Sequence, residues 1–209
     1  MAQTNTVART VRDLGLANWF GGSLMGAVGL NASAGAVSDP RQRSRVPRAG
    51  WQRWTPLEAA GILAVVAGDT VLIASRPQHL AAQHGYARNL AVKLAINGAA
   101  VAATAGTWLL GRRLDAAGEV PMEGATEPSE DTPAQAAGAQ RGLRVLQWVV
   151  PVLTGAHIVM NAVLGEQERP QVVAEGVVRR GRGLLGRFGV PALAGAALAT
   201  ATRGRQGRS

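Results

Sequence analysis

The apolar positions of this chain gather into four runs, residues 14–37, 56–75, 90–110 and 143–164, separated by polar segments containing Gly and Pro. A run of about twenty residues makes a helix roughly 30 Å long, the thickness of the hydrocarbon core of a bilayer. Inside the runs, charged positions do not recur every three or four residues, as the wet face of a soluble helix requires. Residues 56–75 hold only Glu58 and Asp69, and residues 90–110 only Lys93. The pattern predicts an all-α polytopic membrane protein, with four transmembrane helices in an up-and-down bundle. Trp19, Trp51, Trp54, Trp108 and Trp148 all fall in or beside the last turns of these runs, where interfacial aromatic belts form. The runs are rich in Ala and Gly, which leaves a soluble Ala-rich bundle as the rival architecture.

The segments between the runs set the organisation. Residues 1–13 read as an N-terminal tail, residues 14–164 as the transmembrane domain and residues 165–209 as a basic C-terminal tail. Residues 38–55 form a loop with five arginines and one aspartate, and residues 76–89 a short connection with His79, His84 and Tyr86. Residues 111–142 are acidic, contain Pro and are poor in large apolar side chains, a composition that favours an irregular or disordered loop. The apolar piece of the tail, residues 188–201, is too short to span and contains Pro191, so it reads as an amphipathic segment lying in the interface. Arg9 and Arg12 before the first run, and Ala32, Ser33 and Ala34 near its end, resemble a signal peptide. That run is longer than a signal core, however, and three more follow it, which favours a retained helix.

The stretch WFGGSLMGAVGLN, residues 19–31, resembles a phosphate loop at first sight. Gly21 and Gly26 have the required spacing, but Ala27 and Val28 stand where a lysine and a hydroxyl would be needed. The helical spacing of Gly15, Gly22, Gly26 and Gly29, with Asn18, Ser33 and Ala36, makes one stripe of small side chains instead. In lipid such a stripe lets helix backbones approach closely, and Gly22 and Gly26 form a GxxxG pair.

Charge and composition narrow the chemistry. The chain of 209 residues has no cysteine, which excludes disulfides, thiolate metal sites and a cysteine nucleophile. Its formal charge of +9 is almost wholly arginine, Lys93 being the only lysine. Arg179, Arg180, Arg182 and Arg187, followed by Arg203, Arg205 and Arg208, point to anionic lipid headgroups, each nearby charge contributing about 1 kcal/mol. Nucleic acid is the weaker partner, because Phe188 is the one aromatic among these arginines. A tail with this use on the anionic cytoplasmic leaflet places both termini in the cytoplasm, although the five arginines of the first loop pull the other way.

The most informative constellation is a set of polar residues at membrane depth. Counted in from the span ends at about 1.5 Å per residue, Asn18, Asp69, Lys93, Asn97, His157 and Asn161 all fall in one leaflet. The other leaflet has little beyond Glu58 and Asn31. Intramembrane ionisable groups commonly face a cavity, so the set predicts either a site where Asp69 and His157 bind a cation, a proton or a small polar ligand, or a structural layer in which Asp69 pairs with Lys93. No metal-ligand spacing accompanies the histidines, and no serine belongs to a recognisable nucleophilic triad. The expectation is therefore a non-enzymatic membrane module with no cofactor, binding a small ligand or a partner: another membrane protein or a second copy. A subunit of a small-molecule or proton-coupled transporter is the runner-up.

The segments GLANWFGGSLMGAVGLN, WQRWTP, VPMEGATEP, LQWVVPVLTGA and GEQERP together resemble a group of uncharacterised four-helix integral membrane proteins of high-GC actinobacteria. The resemblance runs from about Arg12 to Pro170. It implies a membrane location and four helices, and it brings no activity with it.

Overall fold

The structure, a computed structural model, describes residues 2–75 and 84–167. Among them there is no strand, only an isolated bridge between Met122 and Pro128. Helix α1 runs over Ala2–Met25, α2 over Arg45–Ala74, α3 over His84–Ala116 and α4 over Ala134–Gln167. Three of these, α2, α3 and α4, are long and apolar enough to cross a membrane. Helix α1, with Arg9, Arg12 and Asp13 in its first half, is not among them.

Helix α1 packs along α2 and α3 along α4, and the two hairpins meet where α1 rests on α4. The backbones of α2 and α3 scarcely approach each other. The α1–α2 seam is antiparallel and built from small residues. A Cβ added to Gly15 would lie 2.5 Å from the Gly61 carbonyl oxygen and 2.8 Å from the Ala64 Cβ, and one added to Gly68 would lie 2.7 Å from the Ala8 carbonyl oxygen. Further along, Gly22 faces the Trp54 ring and Gly26 the Trp51 ring. Positions 8, 15 and 22 thus oppose 68, 61 and 54, a seven-residue spacing that returns the same helix face every two turns. Asn18 uses the space left by Gly61 to donate from Nδ2 to the Leu57 carbonyl at 2.9 Å.

Several boundaries differ from the sequence expectation. Residues 2–13 are helix, not tail, because the close approach of Ala8 and Arg12 to Gly68 carries the α1–α2 seam past the apolar run. Residues 14–37 are not one α-helix. After Met25 the chain makes a π-helical turn, Gly26–Leu30, closed by Asn31 N donating to Gly26 O at 2.9 Å, then a 3₁₀ segment, Ala32–Ala36. Gly26, Gly29 and Gly35 favour the α-helix weakly. Asn31 is also gripped from two sides, accepting from Trp51 Nε1 at 3.0 Å and donating to Gln147 Oε1 at 3.0 Å. The wider turn rotates Gly29 off the stripe, so a Cβ there would meet only Met25 of its own helix, and Gly29 is not a helix-packing residue.

Helix α2 begins eleven residues before the expected start, and Pro56 lies inside it, as Pro151 lies inside α4. The loop expected over residues 111–142 is helical at both ends. Its middle is an ordered cap, with Met122 fully buried and Val120, Ala125, Thr126 and Thr132 also buried.

At the centre of the bundle Trp19, 0% exposed, packs with Leu16, Val65, Ala100 and Val150, and its indole N–H donates to Thr104 Oγ1 at 3.1 Å. Trp19 is therefore a core residue, not part of an interfacial belt: the gap between the two hairpins takes the largest side chain the chain has. The outer surface, by contrast, is apolar, with Val7, Leu14, Met25, Leu63, Leu109, Val145, Val152 and Val159 exposed on all four helices.

Candidate functional site

Asp69 is the hub of the polar cluster at the end of the bundle where α1 and α3 start and α2 and α4 finish. Its Oδ1 lies 2.5 Å from Lys93 Nζ and 3.8 Å from Arg12 Nη1, and its Oδ2 lies 3.4 Å from His157 Nε2. Each helix supplies one member: Arg12 from α1, Asp69 from α2, Lys93 from α3 and His157 from α4. All four are buried. Arg12 also pairs with Asp13 at 2.8 Å, so two cations face two carboxylates.

Of the six residues expected in this layer, the structure brings Asp69, Lys93 and His157 into contact. Asn161, one turn from His157, lines the same small cleft. Asn97, one turn from Lys93, has a buried Oδ1 with no hydrogen-bond partner in the protein. Asn18 stands apart: it is engaged on Leu57, about three helical turns of α2 away from Asp69, because α1 begins twelve residues earlier than expected and slides Asn18 toward the bundle centre. Arg12 was missed, since it lies outside the apolar run. Its one sequence signal is its place one turn after Ala8, on the face of α1 that meets Gly68.

The cleft beside this cluster holds about 20 Å³, room for about one water. It does not hold an organic ligand. A space of that size lies at the opposite, loop-bearing end, a cavity of about 680 Å³ between α2, α3 and α4. Small-molecule sites commonly measure about 300–1,000 Å³.

The cavity exists because α2 and α3 do not pack backbone to backbone. Side-chain ties cross the gap instead: Asp69–Lys93 at one end and, toward the other, Trp108 Nε1 donating to Glu58 Oε2 at 2.9 Å and Arg48 paired with Asp115 at 2.6 Å. Glu58 and Asn31, which the sequence left as marginal, are thus members of the larger site. Glu58 is 3% exposed.

Most other polar groups on the wall are already engaged. Thr55 donates to the Trp51 carbonyl, Thr107 to the Thr104 carbonyl and Ser23 to the Phe20 carbonyl. Trp51, Asn31 and Gln147 form the chain of hydrogen bonds that joins α2, the π turn and α4. Pro56 and Pro151, having no N–H, leave the carbonyls of Gln52 and Gln147 without their helical donors.

The cap closes one wall with Met122, Ala125 and Thr126. It is fastened by Gln140, whose amide donates to the Gly124 carbonyl at 3.0 Å, and by Arg43, whose Nη1 donates to the carbonyls of Met122 and Glu123 at 3.1 Å each. The opposite charges of the two loops do meet, as Arg45–Glu119 at 2.7 Å and Arg48–Asp115 at 2.6 Å. Exposed pairs of this kind contribute about 0–1 kcal/mol, whereas truncating a fully buried Met to Ala costs about 2–5 kcal/mol. Met122→Ala should therefore lower the thermal midpoint in detergent far more than the double change Asp115→Asn, Glu119→Gln. A larger loss from the charge changes would make electrostatics, not packing, the fastener.

Arg179, Arg180, Arg182 and Arg187, with the rest of the tail beyond Gln167, lie outside the described residues, as does the stretch 76–83 with His79. Compared with protein-family models, with curated proteins and with solved structures, the chain matches none.

Proposed function

We propose that this chain is an integral membrane protein of the cytoplasmic membrane, with four helices in the bilayer and both termini cytoplasmic, and that it is a non-enzymatic module binding a small ligand inside its bundle. The observation that carries the reading is the cavity of about 680 Å³, set between helices whose outer faces are apolar. A bilayer is the solvent that such an outer face suits. Helix α1 joins the other three because it presents the same kind of surface through Val7, Leu14, Leu24 and Met25. Its Arg9 lies near the helix start, where a long side chain reaches the headgroups. Membership in the actinobacterial membrane group is part of the same proposal. So is contact of Arg179, Arg180, Arg182 and Arg187 with anionic headgroups. No cofactor and no catalytic residue is assigned.

The protein should stay with membranes through an alkaline carbonate wash and come away only with detergent. Native mass spectrometry of the released protein should show a small-molecule adduct that Ala105→Trp, which fills the cavity, removes. A single cysteine at the exposed Glu130, in a chain that has none of its own, should react with an impermeant thiol reagent in intact cells. A soluble, detergent-free monomer would overturn the membrane reading, and a Glu130→Cys variant that labels only after lysis would invert the topology.

A further inference from the structure

The cavity's chemistry is unbalanced in one direction. Its wall is apolar and aromatic, with Trp51, Trp108, Leu109, Leu146 and Val150 among the lining residues. Its one deeply buried acidic group is the Glu58 carboxyl. No ion pair among the described residues includes Glu58, whose hydrogen-bond partner is a neutral indole N–H. The arginines nearby do not serve it: Arg48 is bound to Asp115 at 2.6 Å, and Arg112 is an exposed residue one turn beyond Trp108, toward the mouth. The wall hydroxyls of Thr55, Thr107 and Ser23 point their protons at backbone carbonyls, two prolines leave carbonyls without donors, and Ser44 contributes a buried hydroxyl with no partner among the described residues. What the cavity offers a guest is therefore chiefly acceptor oxygen, aromatic face and one carboxyl group that a cation would hold ionised.

Water is a poor answer to a buried carboxylate among apolar walls, and a buried charge is stable only with a partner. Indole faces attract cations, the more so when both are removed from water. We propose that the cavity binds an apolar organic cation, an amine, quaternary ammonium or phosphonium with aromatic or alkyl bulk, with Glu58 as its counter-ion and Trp51 and Trp108 as aromatic walls. This rests on the small-ligand reading above and names the class of ligand. The Trp108–Glu58 hydrogen bond holds the carboxylate in place, and the Trp51–Asn31–Gln147 chain fixes the second indole, so the site is formed before the ligand arrives. A cavity of about 680 Å³ suits a bulky cation and leaves a bare ammonium ion without wall contact.

The test uses the full chain in a non-ionic detergent and three probes: tetraphenylphosphonium, its near-isosteric anion tetraphenylborate, and the neutral fluorophore N-phenyl-1-naphthylamine. Tetraphenylphosphonium should bind saturably, quench tryptophan fluorescence and displace the neutral probe, while tetraphenylborate should bind at least about tenfold more weakly. Glu58→Gln, which keeps an acceptor for Trp108, should weaken tetraphenylphosphonium about 10- to 100-fold and leave the neutral probe nearly unchanged. Ala105→Trp should weaken both.

Equal binding of cation and anion by the unaltered protein, or indifference of the cation to Glu58→Gln, would overturn the assignment of ligand class while a neutral probe still lost in Ala105→Trp kept the cavity. A neutral probe that did not bind saturably, or that ignored Ala105→Trp, would overturn the cavity reading itself. The comparison of the two ions needs no substitution, so it stands even if Glu58→Gln fails to fold.

Discussion

Asp69→Ala should destabilise the detergent-solubilised protein by about 3–5 kcal/mol, read as a fall in its thermal midpoint. The substitution leaves Lys93 and Arg12, both buried, facing each other without the carboxylate that now lies between them. Breaking a buried ion pair by removing one partner costs more than removing both, because the survivor keeps its desolvation penalty. The double change Asp69→Leu, Lys93→Met should accordingly recover most of the loss. Arg12 keeps Asp13 at 2.8 Å, so it is not orphaned in the double variant. If the double variant were as unstable as Asp69→Ala, the cluster would have to contribute through some specific geometry other than charge balance.

Gly15→Leu should be as severe, for a steric reason. A Cβ there would fall 2.5 Å from a backbone oxygen of α2 and 2.8 Å from the Ala64 Cβ, and neither can turn aside as a side-chain tip could. Overpacking commonly costs about 1–3 kcal/mol, and a backbone-to-backbone contact lies at or beyond the upper end. Gly21→Leu, at a position where a Cβ would meet nothing within 4 Å, is the matched control and should be nearly neutral. Gly22→Leu and Gly26→Leu meet indole rings and should fall between the two extremes. Thermal unfolding of the four variants in one detergent gives the order, and a neutral Gly15→Leu would mean that α1 and α2 are not in close contact.

Helix existence was legible in the sequence because hydrophobic runs depend on composition alone. The Asp69–Lys93 contact was legible too, since two lone opposite charges at matching depth have few alternatives. What the runs could not convey was where helices begin once tertiary contacts take over. Pro56 looks like a boundary but is accommodated inside α2, and Arg12 looks like tail but is drawn into the core by Gly68. The cap was hidden because its composition resembles a solvated loop, and one buried methionine among many small and polar residues has no periodicity. The large cavity was invisible for a related reason. It is made by the separation of α2 and α3, a property of the pairings α1–α2 and α3–α4 that no single stretch records. Trp19 was misplaced because proximity to a run's end suggests an interface only if the run's end is where the helix ends.

The pairing of α1 with α2 bears on how the chain is made. Ribosomes deliver α1 and α2 first, and that hairpin can close its glycine seam before α3 has been synthesised. At that stage Asp69 has no lysine, yet Arg12 of the same hairpin lies 3.8 Å from its carboxylate, so Asp69 already has a counter-charge within the nascent pair. Lys93 arrives later to a waiting acceptor. Because α1 meets α4, the first helix made is held by the last, and biogenesis finishes only when the fourth helix docks against α1.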